Sequence, residues 1–222
     1  DTIPHLFYYN AFLILSNGTE AKVGTLGSKY EFFHEWKRLS EQAQGSVALE
    51  TMLRGICKKE NFLDLLENFI LFDHSGGHTA KILARNHQYL GVNEAIKAYE
   101  ARKLNNGKLG VFWHTQGSGK SYSMVFLAQK IRRKFSGSPT IVILTDRDEL
   151  NTQISDTFEN CGILGKAKAS QFIASSGDDL IDKLKGNPSF IFTMIQKFNK
   201  TDVEPIYPDH DIVIMSDEAH RS

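Results

Sequence analysis

Cysteine is nearly absent from this chain: Cys57 and Cys161 are the only two in 222 residues. They stand far apart and without the close spacing of metal ligands, so neither a disulfide framework nor a zinc site is expected. An excess of charge of either sign is also missing, since 26 basic side chains face 26 acidic ones. A sequence-independent nucleic-acid binder usually carries a basic surplus; here only a local basic face, hidden in the average, can serve that purpose. No apolar run reaches the length of a membrane span, and residues 1 to 15 lack the basic start and cleavage pattern of a signal peptide. A reducing cytoplasm is the expected location. Internal repeats and low-complexity tracts are missing as well. What remains is an ordinary globular composition, 41% hydrophobic and 23% charged, with length enough for one large domain or two modest ones, of which two is the expectation.

The first half alternates short strand and helix signals. Phe7 to Leu15 is rich in aromatic and branched residues, and Ser16-Asn17-Gly18 precedes a second run from Glu20 to Val23. This predicts a hairpin with an Asn-Gly turn. Asn17-Gly18-Thr19 also matches a glycosylation acceptor, but without a secretory signal it reads as the turn itself. Tyr30, Phe33, Trp36 and Leu39 recur at three-residue steps, which predicts a short helix from Ser28. Two more helices are predicted over Val47 to Cys57 and Asn61 to Asn68, with Leu49, Met52, Leu53 and Ile56 on a buried face. Phe69 to Phe72 and Thr79 to Ala84, joined through Ser75-Gly76-Gly77, read as a second hairpin. Glu20-Ala21-Lys22 has the form of the distal half of a nuclease metal site. The only acid upstream in that hairpin is Asp1, and a solvated edge of mixed charge accounts for the tripeptide equally well.

The chemistry is concentrated further on. An apolar run (Leu109, Val111, Phe112, Trp113) leads into His114-Thr115-Gln116-Gly117-Ser118-Gly119-Lys120-Ser121, and a helical stripe follows at Met124, Leu127, Ala128 and Ile131. Strand, glycine-rich loop and helix in that order form the setting of a phosphate-binding loop. Glycines let successive backbone N–H groups point at phosphate oxygens, and the helix adds its positive N-terminal end. Gln116, Gly117, Ser118 and Gly119 are therefore candidates for cradling phosphate, Lys120 for meeting the β and γ phosphates of ATP, and Ser121 for ligating Mg²⁺. The general pattern begins with glycine, where this chain has His114. Upstream, Asn86-His87-Gln88-Tyr89 opens a helix, and the Gln88 amide has the donor and acceptor needed to grip adenine, with Arg85 and Tyr89 flanking the base. Helix capping by Asn86 with a surface Gln88 is the alternative.

Two buried parallel strands are predicted next. Thr140 to Leu144 stops at Thr145-Asp146-Arg147, and Phe190 to Thr193 stops at Met194-Ile195-Gln196-Lys197. Ligands of open α/β sheets lie at the carboxyl ends of strands, so Thr145, Arg147, Thr193 and Gln196 are candidates for nucleic-acid phosphate contacts, with plain loop packing as the other reading. The apolar run Ile212-Val213-Ile214-Met215-Ser216 then delivers two adjacent acids, Asp217 and Glu218. One suits Mg²⁺ and the other an attacking water, the two carboxylate tasks of a motor ATPase. Lys120, Asp217 and Glu218 are the candidate catalytic set, Ser121 and Asp217 the candidate metal ligands. His220 is a candidate link between the ATP site and the DNA-binding surface.

With Asp217-Glu218-Ala219-His220 added to the loop, the chain resembles the first RecA-like domain of superfamily 2 helicases of the DEAH-box kind. Trp113 to Ser121, then Thr145-Asp146-Arg147 with Leu150 and Gln153, then Asp217 to Ser222, resemble more closely the restriction subunit of type I restriction-modification enzymes. Leu6-Phe7-Tyr8-Tyr9-Asn10, Ser16 to Ala21 and Trp36-Lys37 are similar to the segment that follows the nuclease core of that subunit. The resemblance implies an α/β fold, a truncated RecA-like parallel sheet over 85–222 preceded by a smaller α+β subdomain over 1–84 from the nuclease side. It also implies an ATP- and Mg²⁺-dependent double-stranded DNA translocase and endonuclease subunit, working with methylation and specificity subunits. By the same pattern Gln88 is the adenine-gripping glutamine. The nuclease acids would precede Asp1, and the second RecA-like domain with its arginine finger would follow Ser222. On that expectation the piece alone binds ATP weakly and does not turn over. A small-molecule P-loop kinase suits Asp-Glu-Ala-His poorly, whereas a non-catalytic structural remnant stays open.

Overall fold

The computed structural model describes residues 3–113, 115, 117–198 and 210–217. The chain forms two compact units, Asp1–Leu127 and Ala128–Ser222. The boundary expected after residue 84 falls inside the first of them, between a strand and a helix.

The first unit opens with a single 3-10 turn at Pro4–Phe7 and the hairpin of β1 (Leu13–Ser16) and β2 (Ala21–Gly24), paired from Leu13↔Gly24 to Ser16↔Ala21. Its turn follows from Asn17 and Gly18. Asn17 Oδ1 accepts the N–H groups of Thr19 and Glu20 at 3.0 and 2.8 Å, and Gly18 takes φ +98°, a left-handed value that a side chain would resist. Glu20 is exposed in this turn, and the Lys22 amine lies 4.7 Å from the centre of the Tyr30 ring.

The helix expected from Ser28 through Leu39 does not form. Only Tyr30–Phe32 makes a 3-10 turn, after which His34 pairs with Val23 as an extra rung on the open edge of β2. The reason lies in the aromatics, which fill separate sites instead of one helical face. Phe33 lies over Gly24 and Trp36 over Gly55, so closely that a Cβ on either glycine would fall 2.7 Å and 2.2 Å from the ring atoms. Tyr30 and Leu39 stay exposed.

α1 (Leu49–Ile56) and α2 (Lys59–Asn68) bury Met52, Ile56 and Leu65; of the face the apolar spacing predicts, Met52 and Ile56 are buried, Leu49 is partly buried and Leu53 is exposed. The second hairpin pairs β3 (Ile70–Asp73) with β4 (Ala80–Leu83), and α3 (Asn86–Glu100) follows. Trp36, Tyr89, Phe69 and Phe126 form a chain of ring contacts with centroids 5.3, 4.8 and 5.6 Å apart, joining the loop, α3, the start of β3 and the helix that follows the glycine-rich loop. Asp64 ties α2 to α3 by accepting from Asn93 at 3.3 Å, and within α2 it accepts from Asn68 at 2.9 Å. Burial, then the neighbouring Asp64 charge, holds the Tyr89 hydroxyl well above its usual pKa.

The strand expected over Leu109–Trp113 is not formed either. Gly110 sits at φ +104°, outside the extended region, and Val111 and Trp113 are 85% and 84% exposed. Leu109 is partly buried, and the Phe112 ring, though partly exposed, sits in the notch left by Gly91 on α3. A buried parallel strand needs a partner edge and two sheltered faces, and this run leaves most of its side chains exposed.

α4 (Lys120–Lys134) carries the chain from the first unit into the second, with Val125, Phe126, Ala128 and Ile131 fully buried. In the second unit β5 (Thr140–Thr145) lies between β6 (Phe190–Met194) and β7 (Ile212–Ser216), all parallel, giving an α/β sheet of order β6-β5-β7 among the described residues. α5 (Asp148–Asn160) covers one face, where Phe158 meets Phe190 and Phe192 at 5.6 and 5.3 Å. α6 (Gly177–Lys185) covers the other, with Leu180 packed among Val142, Ala174 and Ile191. Burial on both faces explains the near-continuous apolar runs of β5 and β6. Cys57 and Cys161 are free thiols, and no described helix is long and apolar enough to cross a membrane.

Candidate phosphate-binding site

The glycine-rich loop is a tight turn that runs straight into α4. Ser118 N–H bonds to the Thr115 carbonyl at 3.3 Å, and the helix begins at Lys120. Gly117 and Gly119 take φ +75° and +86°. Around Gly117 nothing lies within 4 Å of where a Cβ would be, so one side of the turn is open to a ligand. Gly119 is closed on the corresponding side, where a Cβ would meet Gln88 Nε2 at 3.0 Å and the Tyr122 ring at 3.8 Å. Lys120 and Ser121 are half-buried at the start of α4. His114 and Gln116 lie outside the described residues.

Three side chains distant in sequence hold this turn. Gln88, only 3% exposed, accepts the Arg85 N–H through Oε1 at 2.8 Å and donates through Nε2 to the Gly119 carbonyl at 2.9 Å. His87 Nε2 is 3.2 Å from the Ser118 carbonyl, which makes it the protonated nitrogen of the ring. Burial and then the Arg85 charge hold the His87 pKa below its ordinary value, against the Ser118 contact. Tyr122, in the first turn of α4, donates its hydroxyl to the carboxylate of Asp73 on β3. Asp73 Oδ1 also accepts the Ser75 N–H at 2.7 Å. Burial pushes the Asp73 pKa up, but the Tyr122 hydroxyl and the Ser75 N–H outweigh it, and the group stays below its usual value.

These placements refine the sequence reading. Gln88 is not on the surface: it is buried, and each end of its amide makes one bond within the chain. Asn86 does not cap α3 with its side chain. Its Oδ1 accepts the N–H groups of Lys37 and Arg38 at 3.2 and 2.9 Å, and its Nδ2 donates to the Arg38 carbonyl at 2.9 Å. Asp73 and Tyr122 were not indicated by any motif. They lie 49 positions apart, and only the fold brings them together.

The remaining candidates gather at the carboxyl ends of the three parallel strands of the second unit. The Asp217 N–H bonds to the Leu144 carbonyl at 2.9 Å, placing it beside the end of β5. Gln196 Nε2 donates to the Asp146 carbonyl at 3.1 Å, and the Arg147 guanidinium lies 3.5 Å from the Asp146 carboxylate. Arg147 and Gln196 are exposed, whereas Thr145 and Thr193 are buried, 2% and 0% exposed. Thr145 Oγ1 faces the Arg147 carbonyl at 3.4 Å, beneath that surface. Glu218 and His220 lie outside the described residues.

The residues present fit a phosphate group. The turn leaves an open side at Gly117, the buried Ser118 hydroxyl has no partner among the described residues, and a lysine and a serine follow at the helix start. The family model described as SWI2/SNF2 ATPase matches residues 87–222. The chain is similar over its whole length to the type I restriction enzyme HindI endonuclease subunit of Haemophilus influenzae, 38% identical, and spans 22% of that protein. It is 31% identical, over 99% of the chain and 23% of the relative, to the putative type I restriction enzyme MjaIXP endonuclease subunit of Methanocaldococcus jannaschii. The SsaAORF53P endonuclease subunit of Staphylococcus saprophyticus is 24% identical over 98% of the chain and 23% of the relative. The chain thus spans less than a quarter of the length of these curated relatives.

Proposed function

This chain belongs to the SWI2/SNF2 ATPase family, and from that premise we propose that it binds ATP with Mg²⁺ through the turn Gln116–Ser121 and the acids Asp217 and Glu218. In the protein that carries it, we propose, that binding drives translocation on double-stranded DNA. The observation that supports this most is the turn itself: two glycines at left-handed φ run into α4, with the Ser118 and Gly119 carbonyls held from behind by His87 and Gln88.

In this reading the backbone of Gly117, Ser118 and Gly119 cradles phosphate, and the Lys120 amine meets the outer phosphates as a point charge. Ser121 and Asp217 ligate Mg²⁺, which when bound neutralises the charge that grows on the departing phosphate. Glu218 orients the attacking water. Gln88 serves the site through Gly119, and the second N–H and second lone pair of its amide are what an adenine contact would use. Arg147 and Gln196 offer the exposed donors for a DNA phosphate, with Thr145 and Thr193 supporting them from beneath. The similarity to restriction endonuclease subunits supports a role in such a complex in the cytoplasm, with methylation and specificity subunits as partners and DNA cleavage as the outcome.

The test is titration of a fluorescent ATP analogue with Mg²⁺ against this chain and its Lys120→Ala form, paired with DNA-stimulated ATPase assays of the full protein. Weak binding lost in Lys120→Ala, and turnover lost in Asp217→Asn, are expected. Equal binding by both forms would overturn the assignment of the loop, and would favour a purely structural domain.

A further inference from the structure

The ATPase match begins at residue 87, yet the first turn of α4 is held by a residue that lies before it. Asp73 closes β3, is 5% exposed, and has both carboxylate oxygens engaged: Oδ1 by the Ser75 N–H at 2.7 Å and Oδ2 by the Tyr122 hydroxyl. Tyr122 directly follows Ser121 and stands two positions after Lys120. On an α-helix each residue is turned by about 100°, so Lys120 lies about 200° around the helix from Tyr122 and Ser121 about halfway between. Fixing Tyr122 against the hairpin therefore turns Lys120 towards the opposite side. The Tyr122 ring also lies close to Gly119, on the side of the turn that Gln88 closes.

Nothing in phosphate binding itself calls for a tyrosine at this place or for a buried carboxylate in the hairpin. A buried carboxylate is costly unless its oxygens are satisfied, and here the phenol that satisfies one of them belongs to the loop helix. The hairpin is in turn tied to the segment before it: the Thr25 hydroxyl donates to the Lys81 carbonyl at 2.6 Å and the Lys81 amine to the Asn10 carbonyl at 3.0 Å. The helix start is thus referenced to β3 and β4 as well as to α3.

Building on the proposed ATP site, we infer that Asp73 is a positioning residue for it. Its carboxylate holds the Tyr122 hydroxyl, which sets the rotation of the first turn of α4 and with it the directions of the Lys120 amine and the Ser121 hydroxyl. Asp73 does not touch the nucleotide. It acts through Tyr122, and its effect falls on the Mg²⁺-dependent part of binding, because Ser121 is the neighbour of the anchored residue.

The experiment uses the full protein that carries this chain, with a fluorescent ATP analogue titrated in Mg²⁺ and again in EDTA. The variants are Tyr122→Phe, Asp73→Asn, their combination, and Lys120→Ala. Tyr122→Phe removes one oxygen and keeps the ring, so its fold is followed by thermal melting and serves where Asp73→Asn disturbs the hairpin. The expected result is a Kd in Mg²⁺ raised roughly fivefold in Tyr122→Phe, a smaller gain in affinity from Mg²⁺, and little further loss in the combined variant. Parental Kd and parental Mg²⁺ gain in a folded Tyr122→Phe, with Lys120→Ala still defective, would overturn the inference and leave the ATP site standing. Equal binding in the parent and Lys120→Ala would instead remove the ATP site, and the inference with it.

Discussion

The Gln88 side-chain amide donates to the backbone carbonyl of Gly119 at 2.9 Å while its oxygen caps the Arg85 N–H at 2.8 Å. One buried amide therefore joins the start of α3 to the glycine-rich turn, and its two halves can be separated by substitution. Gln88→Glu keeps an acceptor for Arg85 but sets a carboxylate oxygen against the Gly119 carbonyl. Gln88→Ala leaves both backbone groups without their partner. Losing such partners costs about 1 to 3 kcal/mol each when the groups are buried. Thermal melting is expected to fall for both variants, and binding of the ATP analogue to weaken most in Gln88→Glu, where the repulsion is aimed at the loop. Unchanged binding in Gln88→Glu would show that the contact supports the fold alone.

The two loop glycines are expected to respond differently to a methyl group. Both have left-handed φ, so alanine at either position costs about 1 to 2 kcal/mol in backbone strain. At Gly117 the methyl enters open space, whereas at Gly119 it meets Gln88 Nε2 at 3.0 Å. Gly119→Ala should therefore lower the denaturation midpoint more than Gly117→Ala. Gly117→Ala should act chiefly on nucleotide binding, because its new methyl occupies the side left for the ligand. Equal midpoints for the two variants would contradict the contact with Gln88.

Much of this was readable before the fold was known, and the reasons are local. Asn17-Gly18 and Ser75-Gly76-Gly77 announce their hairpins because the turn chemistry sits within four residues. Thr140–Leu144 and Phe190–Thr193 read as buried parallel strands because both faces are covered. Two apolar patterns misled. The steps of three from Tyr30 to Leu39 follow from aromatics lodged singly, Phe33 at Gly24 and Trp36 at Gly55, and a single sequence does not distinguish that from a helical face. The run Leu109–Trp113 has strand composition, but Gly110 at φ +104° breaks its extended path. Around the candidate site, spacing alone singles out the loop, Lys120 and Asp217, while it gives no sign of Asp73 and Tyr122, since their meeting depends on how β3 and α4 are brought together.

Within that run Phe112 packs against a glycine of α3. It fills the notch of Gly91, where an added Cβ would fall 1.8 Å from the ring. Gly91→Ala is expected to expel the ring and to destabilise the first unit by about 1 to 3 kcal/mol, the usual range for overpacking. Because the segment from Phe112 leads directly into the glycine-rich turn, binding of the ATP analogue should weaken as well. Phe112→Ala in the Gly91→Ala background should restore part of the stability, since the methyl then takes space the ring has left. A double variant no more stable than Gly91→Ala, measured by urea denaturation, would show that the two residues do not share this seat.

His34 contributes to the pH dependence of the first unit. Neither of its ring nitrogens has a hydrogen-bond partner among the described residues, and Arg85 and His87 stand near it. Burial first, then the Arg85 and His87 charges, lower its pKa from the ordinary 6.5 to about 4, with weaker backbone contacts at Glu35 and Leu83 acting the other way. The sign follows from proton counting. Between those two values the unfolded chain holds a proton on His34 that the folded chain does not, so stability rises with pH across the window. The contribution is complete above the unfolded value, is lost as pH falls from 6.5 towards 4, and amounts to something on the order of 3 kcal/mol. His34→Leu removes the proton site and buries an apolar side chain where no hydrogen bond is forfeited. Its stability at neutral pH should equal or exceed the parent's, and the gap should widen in its favour as the medium is acidified. Urea denaturation of parent and variant at matched pH values checks this, because titrating groups that do not interact with His34 act alike on both. A gap that stays constant with pH would mean that His34 is protonated in the fold as readily as in the open chain.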